Sequence, residues 1–190
     1  MPLRNAVLWC NIVAMSERFR GEVRKASIEH VRTWEEGIKN PEAAKASLKL
    51  IKHILHEHGL SIGKRAHVLE VGSGLGLLLQ EMRAAGINSV GVDARPRGEE
   101  KRLIGARIEQ LPFGDALFDL VLSNAVFDAN VYDQDQAAML LEIARVLKIG
   151  GVLYLNGVWG VHNLKDFEKA GLVRISAQEN QSWGALYKKQ

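Results

Sequence analysis

The chain has 190 residues, of which 47% are hydrophobic and 25% charged, the composition of one soluble globular domain with a real core rather than of a disordered segment. Its net charge of +3 and pI near 9.0 come from scattered side chains, with Lys188 and Lys189 the nearest thing to a cluster, so little points to nucleic acid. Cys10 is the only cysteine, which excludes a disulfide framework and a cysteine-based zinc site and fits a reducing cytoplasm.

The N-terminal "MPLRNAVLWCNIVAM" sets an arginine before an apolar stretch, as a signal peptide does. Asn11 interrupts the run, no small-x-small cleavage site follows, and the stretch is too short to span a bilayer. Leu3, Val7, Cys10 and Ala14 recur at helical spacing, which predicts an amphipathic helix. Between Ser16 and Trp34 a second charged stretch carries Phe19, Val23, Ile28, Val31 and Trp34. Next, "NPEAAKASLKLIKHILHEHG" has its own punctuation: Asn40 as N-cap, Pro41 at the first helical position, Gly59 as the stop. Ala44, Leu48, Ile51 and Leu55 form its apolar stripe. His53, His56 and His58 do not converge, because a rotation of about 100° per residue sends His58 far round from the other two, so no metal is expected. Residues 1–60 read as a helical extension that serves as a cover over the site, and 61–190 as the ligand-binding main domain.

From Ala66 onward strand-like and helix-like segments alternate. "AHVLEV" reads as a buried parallel strand, "LGLLLQEMRAAG" as a helix stopped by Gly86, and "NSVGVD" as a second strand. "GARIE" and "LFDLVLSNAV" follow as strands, then "DQDQAAMLLEIARVLKIGG" as a helix ended by Gly150 and Gly151, then "VLYLNGV" as a strand. This is the pattern of an α/β fold with an open, doubly wound parallel sheet and helices on both faces. After a short helix, "NLKDFEKAG", the segments "LVRISAQE" and "WGALYKK" are separated by too little chain for a parallel crossover, and predict an antiparallel hairpin at one edge.

The stretch "VLEVGSGLG" places Gly72, Gly74 and Gly76 where the first strand turns into the first helix, at the crevice where open parallel sheets bind ligands. Asp93 ends the second strand about 20 residues later, the place from which a carboxylate reaches ribose hydroxyls. A nucleoside ligand is implied. The spacing is G-x-G-x-G with Leu77 next, not the G-x-G-x-x-G/A of dinucleotide sites. Glu70 would repel a diphosphate, yet it suits a ligand with an ammonium or sulfonium group. The cation points to S-adenosylmethionine.

With "VLEVGSGLG", then "GVD", "LPFGDALFDLVLS" and "IARVLKIGGVLYL", the sequence resembles the class I S-adenosylmethionine-dependent methyltransferases from roughly Leu60 to the C-terminus. The resemblance implies a Rossmann-like, seven-stranded, mostly parallel sheet whose last strand is antiparallel. It implies a cofactor loop of Gly72, Ser73, Gly74 and Gly76, with Glu70 near the methionine amino group. Asp93 would hold the ribose, Ala94 would lie beside the adenine, and Ser123 and Asn124 would face the methionine moiety. Where relatives often have Gly-Asp-Ala, with the Asp bonding the adenine amino group, this chain has Ala106, Arg107 and Ile108. Arg107 cannot accept that bond, which leaves the Ile108 backbone N–H and the Glu109 carboxylate as candidates for the adenine.

Methyl transfer asks the protein chiefly to align a nucleophile with an already activated methyl group. If the acceptor must lose a proton, Asp128, Tyr132 and His162 are the titratable groups nearest the expected mouth, and Phe127 and Trp159 are candidate walls for the acceptor. The expected function is therefore a cytoplasmic methyltransferase acting on a small-molecule acceptor, with no membrane partner. The alternatives are an RNA- or protein-directed methyltransferase and a non-catalytic S-adenosylmethionine-binding module.

Overall fold

The computed structural model describes residues 41–124, 126–127, 135–156, 164–176 and 184–190. Helix α1 runs from Pro41 to Glu57 and buries Ala44, Leu48, Ile51, Ile54 and Leu55. Gly59 ends it in a left-handed conformation, φ 70°, which a glycine adopts without steric cost. His53 lies 3.3 Å from Glu57, and the His58 ring meets the Ile54 carbonyl at 2.9 Å. Strand β1 (His67–Val71), helix α2 (Leu77–Ala84), β2 (Asn88–Asp93), β3 (Leu103–Gly105) and β4 (Phe118–Asn124) follow, then α3 (Gln136–Val146), β5 (Leu147–Asn156), α4 (Leu164–Lys169), β6 (Leu172–Arg174) and β7 (Ala185–Lys189).

The strands form one seven-stranded sheet in the order β3-β2-β1-β4-β5-β7-β6. β1 to β5 pair in parallel, and β7 runs antiparallel to both β5 and β6. The expected antiparallel edge is present. Between β1 and β4 the winding reverses direction, which opens a crevice at the C-terminal strand ends.

Alternation along each strand sends side chains to two cores. On one face Leu48, Ile51 and Leu55 of α1 and Leu79 and Met82 of α2 pack with Val68, Leu122 and Tyr154. On the other, Met139 and Ile143 of α3 and Phe167 of α4 pack with Leu69, Val121 and Leu153. Phe167 also stacks on Tyr187, with ring centroids 4.2 Å apart. Burying each such side chain contributes roughly 1.5–3 kcal/mol, so α1 is held in the core by the same force as the sheet. Among the described residues no helix is long and apolar enough to cross a membrane.

Two elements depart from expectation. The third strand is Leu103–Gly105 rather than "GARIE", because Leu103 and Ile104 pair with Gly91 and Val92, leaving Arg107 and Glu109 to a charged turn. The helix before β5 ends at Val146, not at the glycines. The Ala116 and Leu117 amides donate to the Arg145 and Val146 carbonyls at 2.9 and 2.8 Å, and Leu147 pairs directly with Phe118. Gly150, at φ 76°, and Gly151 lie instead in the irregular start of β5, where the register against β4 shifts between Phe118 and Leu120.

Arg145 holds the loop before β4 against α3. Its guanidinium donates to the Phe113 and Leu111 carbonyls at 2.8 and 3.2 Å, to Asp115 at 2.7 Å and to Glu142 at 2.7 and 2.8 Å, while Glu142 accepts the Leu111 N–H at 2.9 Å. The hydrogen bond from Arg145 holds the Glu142 carboxyl below its ordinary range. A planar five-donor fork suits this task and an ammonium group does not. Arg145→Ala should lower the unfolding free energy by about 2 kcal/mol in urea denaturation, and Arg145→Lys should recover little of the loss; an unchanged midpoint would remove Arg145 from this role.

Candidate active site

The site forms where β1, β2 and β4 end. Past Val71 the chain turns through Gly72, Ser73, Gly74 and Gly76, whose three glycines have φ of 69°, 52° and 73°. A side chain at any of them would be strained. Each glycine has a separate neighbour. Gly72 admits Val126, whose Cγ2 would collide with any Cβ placed there, so this glycine meets the chain that follows β4. Gly76 lies against Glu100 and Leu103 and begins α2. Only at Gly74 does the position of a Cβ face open space, with nothing within 4 Å.

Asp93 ends β2 and fixes this turn. Its Oδ2 accepts the Gly74 N–H at 2.9 Å and its Oδ1 accepts the Arg95 N–H at 2.7 Å. Both partners are backbone amides, and each of the two oxygens keeps unused lone pairs. Ser73 is tied back to β1, its hydroxyl donating to the Glu70 carbonyl at 2.9 Å. Ala94, next to Asp93, is exposed.

Glu70 is the unusual group. It is 5% exposed, and its Oε2 has no hydrogen-bond partner. Its strand places it on the face of Val68 and Leu122, beneath the start of α2. Desolvation pushes its carboxyl up to about 8, against the lowering pull of the Ser73 hydroxyl and the Leu79 backbone N–H; nearby Asp93 adds to the rise. Two acids therefore flank the glycine turn.

On the other side of the crevice, Ile108 is buried and anchors the turn that carries Arg107 and Glu109. Arg107 projects outward, its side chain 66% exposed, and its Nη2 donates to Glu109 Oε1 at 2.7 Å. Burial works against ionisation of Glu109, but the Arg107 hydrogen bond and charge together with its own backbone N–H outweigh it and hold the carboxyl below its ordinary range. At the end of β4, Ser123 is buried with a hydroxyl that has no partner. Asn124 accepts a hydrogen bond from Asn156 at 2.8 Å.

The structure thus brings Glu70, Gly72, Ser73, Gly74, Gly76, Asp93, Ser123 and Asn124 to one edge of the sheet, with Ala94, Ile108 and Glu109 on the adjoining loops. Asp128, Tyr132, Trp159 and His162 lie outside the described residues. Phe127 is 1% exposed and belongs to the α3-side core. Asn156 and Val126 escape a reading by motif; only the pairing of β5 with β4 and the return of the chain over Gly72 bring them to this edge.

The residues fit S-adenosylmethionine on two counts. An unpartnered buried carboxyl answers to a cationic group, and the bare backbone at Gly74 beside the Asp93 carboxylate answers to a ribose. A diphosphate would meet the Asp93 carboxylate instead.

Residues 69–155 match a family model described as "Methyltransferase domain". No curated protein matches the chain. Among solved structures it is similar to the 1,6-didemethyltoxoflavin-N1-methyltransferase of Burkholderia thailandensis, at 18% identity, over 85% of this chain and 86% of that one, with a TM-score of 0.59. It is similar as well to a Methanococcus maripaludis protein described as an S-adenosyl-L-methionine-dependent methyltransferase, at 16% identity over 85% and 93% of the two chains, TM-score 0.57. A Bacillus halodurans protein described as a methyltransferase matches at 20% identity over 68% and 70%, TM-score 0.55. At these identities the likeness is one of fold. Residues 69–155 are thus similar to a methyltransferase domain, and the chain shares the fold of these solved methyltransferases.

Proposed function

We propose that this chain transfers the methyl group of S-adenosylmethionine to a small-molecule acceptor. The observation that carries the reading is the pair of acids, Glu70 and Asp93, on either side of a glycine turn with open space over Gly74. The Burkholderia thailandensis relative holds 1,6-didemethyltoxoflavin and S-adenosylhomocysteine, which supports the same acceptor class here.

When bound, the cofactor supplies an electrophilic methyl group on a sulfonium. The chain's part is to bind and orient. Asp93, fixed by two backbone amides, accepts from the ribose hydroxyls, and Glu70 balances the cationic end. Gly74 lets the ligand lie against the backbone, with Ser73 and Gly76 shaping the turn around it. The Ile108 amide and the Glu109 carboxylate, steadied by Arg107, take the adenine beside Ala94. Ser123 and Asn124 face the methionine portion. Asp128, Tyr132 and His162 remain the candidates for taking a proton from the acceptor. A cytoplasmic setting accords with the single cysteine.

A site for methyl transfer must exclude water and yet admit an acceptor. Because α1 packs into the core, the cover proposed here is the stretch before Pro41, with its apolar Phe19, Val23, Ile28, Val31 and Trp34.

Calorimetry should show S-adenosylmethionine or S-adenosylhomocysteine binding and NAD failing to bind. Asp93→Ala should weaken the binding by about 1.5–3 kcal/mol, the scale of a charged hydrogen bond; tight NAD binding, or an affinity untouched in the variant, contradicts the assignment. Glu70 gives a separate signature in the ligand-free protein. Its carboxyl is raised from 4.5 to about 8, so between those values the folded chain keeps a proton that the unfolded chain has released. Folding stability is then lost as pH rises through that window. Urea denaturation from pH 5 to 8 should show wild type losing stability relative to Glu70→Gln; parallel curves would mean that Glu70 is not desolvated as described. Finally, removing Met1 to Arg20 should keep cofactor affinity within about threefold, under 1 kcal/mol, while abolishing transfer to the acceptor. Loss of cofactor binding on truncation would make this stretch part of the scaffold instead.

A further inference from the structure

We propose that Asn156, paired with Asn124, is the acceptor-positioning residue of this site and selects an uncharged planar acceptor that presents a donor and an acceptor on one edge, as a cyclic amide does. The inference rests on the methyl-transfer reading above and names the acceptor class for that same crevice.

Asn156 is the last residue of β5 and pairs in register with Asn124, the last residue of β4. Its Nδ2 donates to Asn124 Oδ1 at 2.8 Å, although Asn156 is only 6% exposed. Burying a primary amide is unfavourable unless its polar atoms find partners. Two such amides own two carbonyls and four N–H donors, and among the described residues the one bond between them is the only side-chain hydrogen bond that either makes. The remaining donors and acceptors are available to a ligand at the strand ends.

The placement suits an acceptor. Cross-strand partners share a face and side chains alternate along a strand, so Asn124 and Asn156 lie on the same face as Glu70, Leu122 and Tyr154. Leu122 and Tyr154, the pair one step below the two amides, are fully buried in the α1-side core, so a ligand at these strand ends meets the planar amide edges and not this pair. Charge narrows the class further. The last two residues of β1, β4 and β5 are Glu70 and Val71, Ser123 and Asn124, and Leu155 and Asn156. None is a lysine or arginine, so a carboxylate or phosphate acceptor would meet Glu70 without a countercharge from these strand ends.

The test uses 2-pyridone, whose N–H and C=O lie side by side, and N-methyl-2-pyridone, in which the donor is blocked. Binding of each to the protein saturated with S-adenosylhomocysteine is followed by ligand-observed NMR titration, alongside calorimetry of S-adenosylhomocysteine itself. The expected result is that N-methylation weakens binding at least tenfold. Asn156→Leu should weaken 2-pyridone to the same degree while S-adenosylhomocysteine affinity stays within threefold. If the wild type binds both pyridones equally, or binds neither, the acceptor class is wrong even though the cofactor binds. If Asn156→Leu binds 2-pyridone as wild type does, Asn156 has no positioning role. Should that variant fail to fold, the two pyridones on the wild-type protein still decide the matter. A wild-type protein that does not bind S-adenosylhomocysteine overturns the methyl-transfer reading, and this inference with it.

Discussion

A carboxyl buried on an apolar sheet face resists ionisation unless a cation offsets its lost hydration, and Glu70 imposes that condition on the whole site. Its Oε2 lacks a partner, and the lowering pulls of Ser73 and the start of α2 do not offset its desolvation. An arriving ammonium or sulfonium group reverses the balance, because Coulomb attraction is strongest where water is excluded. Binding of such a group would release the Glu70 proton. A site built this way favours a cationic ligand before any shape is considered, and it disfavours the diphosphate that other open parallel sheets bind at the same place.

The glycine turn divides its work among three positions. Gly72 is the contact with Val126, Gly74 is the open surface tied to Asp93, and Gly76 starts α2. Through Gly72 the turn touches the chain that leaves β4, and the end of β4 pairs with the end of β5 through Asn124 and Asn156. The glycine turn and the ends of β4 and β5 are therefore joined by packing and strand pairing rather than by a flexible linker. A Cβ at Gly72 would push Val126 away, so the cost of substitution there falls on both sides at once.

Local signals carried much of this architecture. The glycine turn, Asp93 at the close of "NSVGVD" and the short connection before "WGALYKK" each follow from residues close together in the chain. The third strand was misplaced because "GARIE" has the right alternation, whereas the pairing of Leu103 and Ile104 with β2 depends on a neighbour distant in sequence. The junction of α3 with β5 was hidden for a like reason: Gly150 and Gly151 read as a helix stop, but the helix is ended by amides from Ala116 and Leu117. Asn156 carried no local signal. Its meaning arises only from its register against Asn124. The same holds for Gly72, a glycine turn residue by sequence and a Val126 contact by packing.

Label transfer is the most direct test of the central claim. The full chain, incubated with S-adenosylmethionine carrying a labelled methyl group and a fractionated metabolite extract, should move the label into one small-molecule fraction. Label that remains entirely on the cofactor, or that moves only to protein or RNA, would contradict a small-molecule methyltransferase.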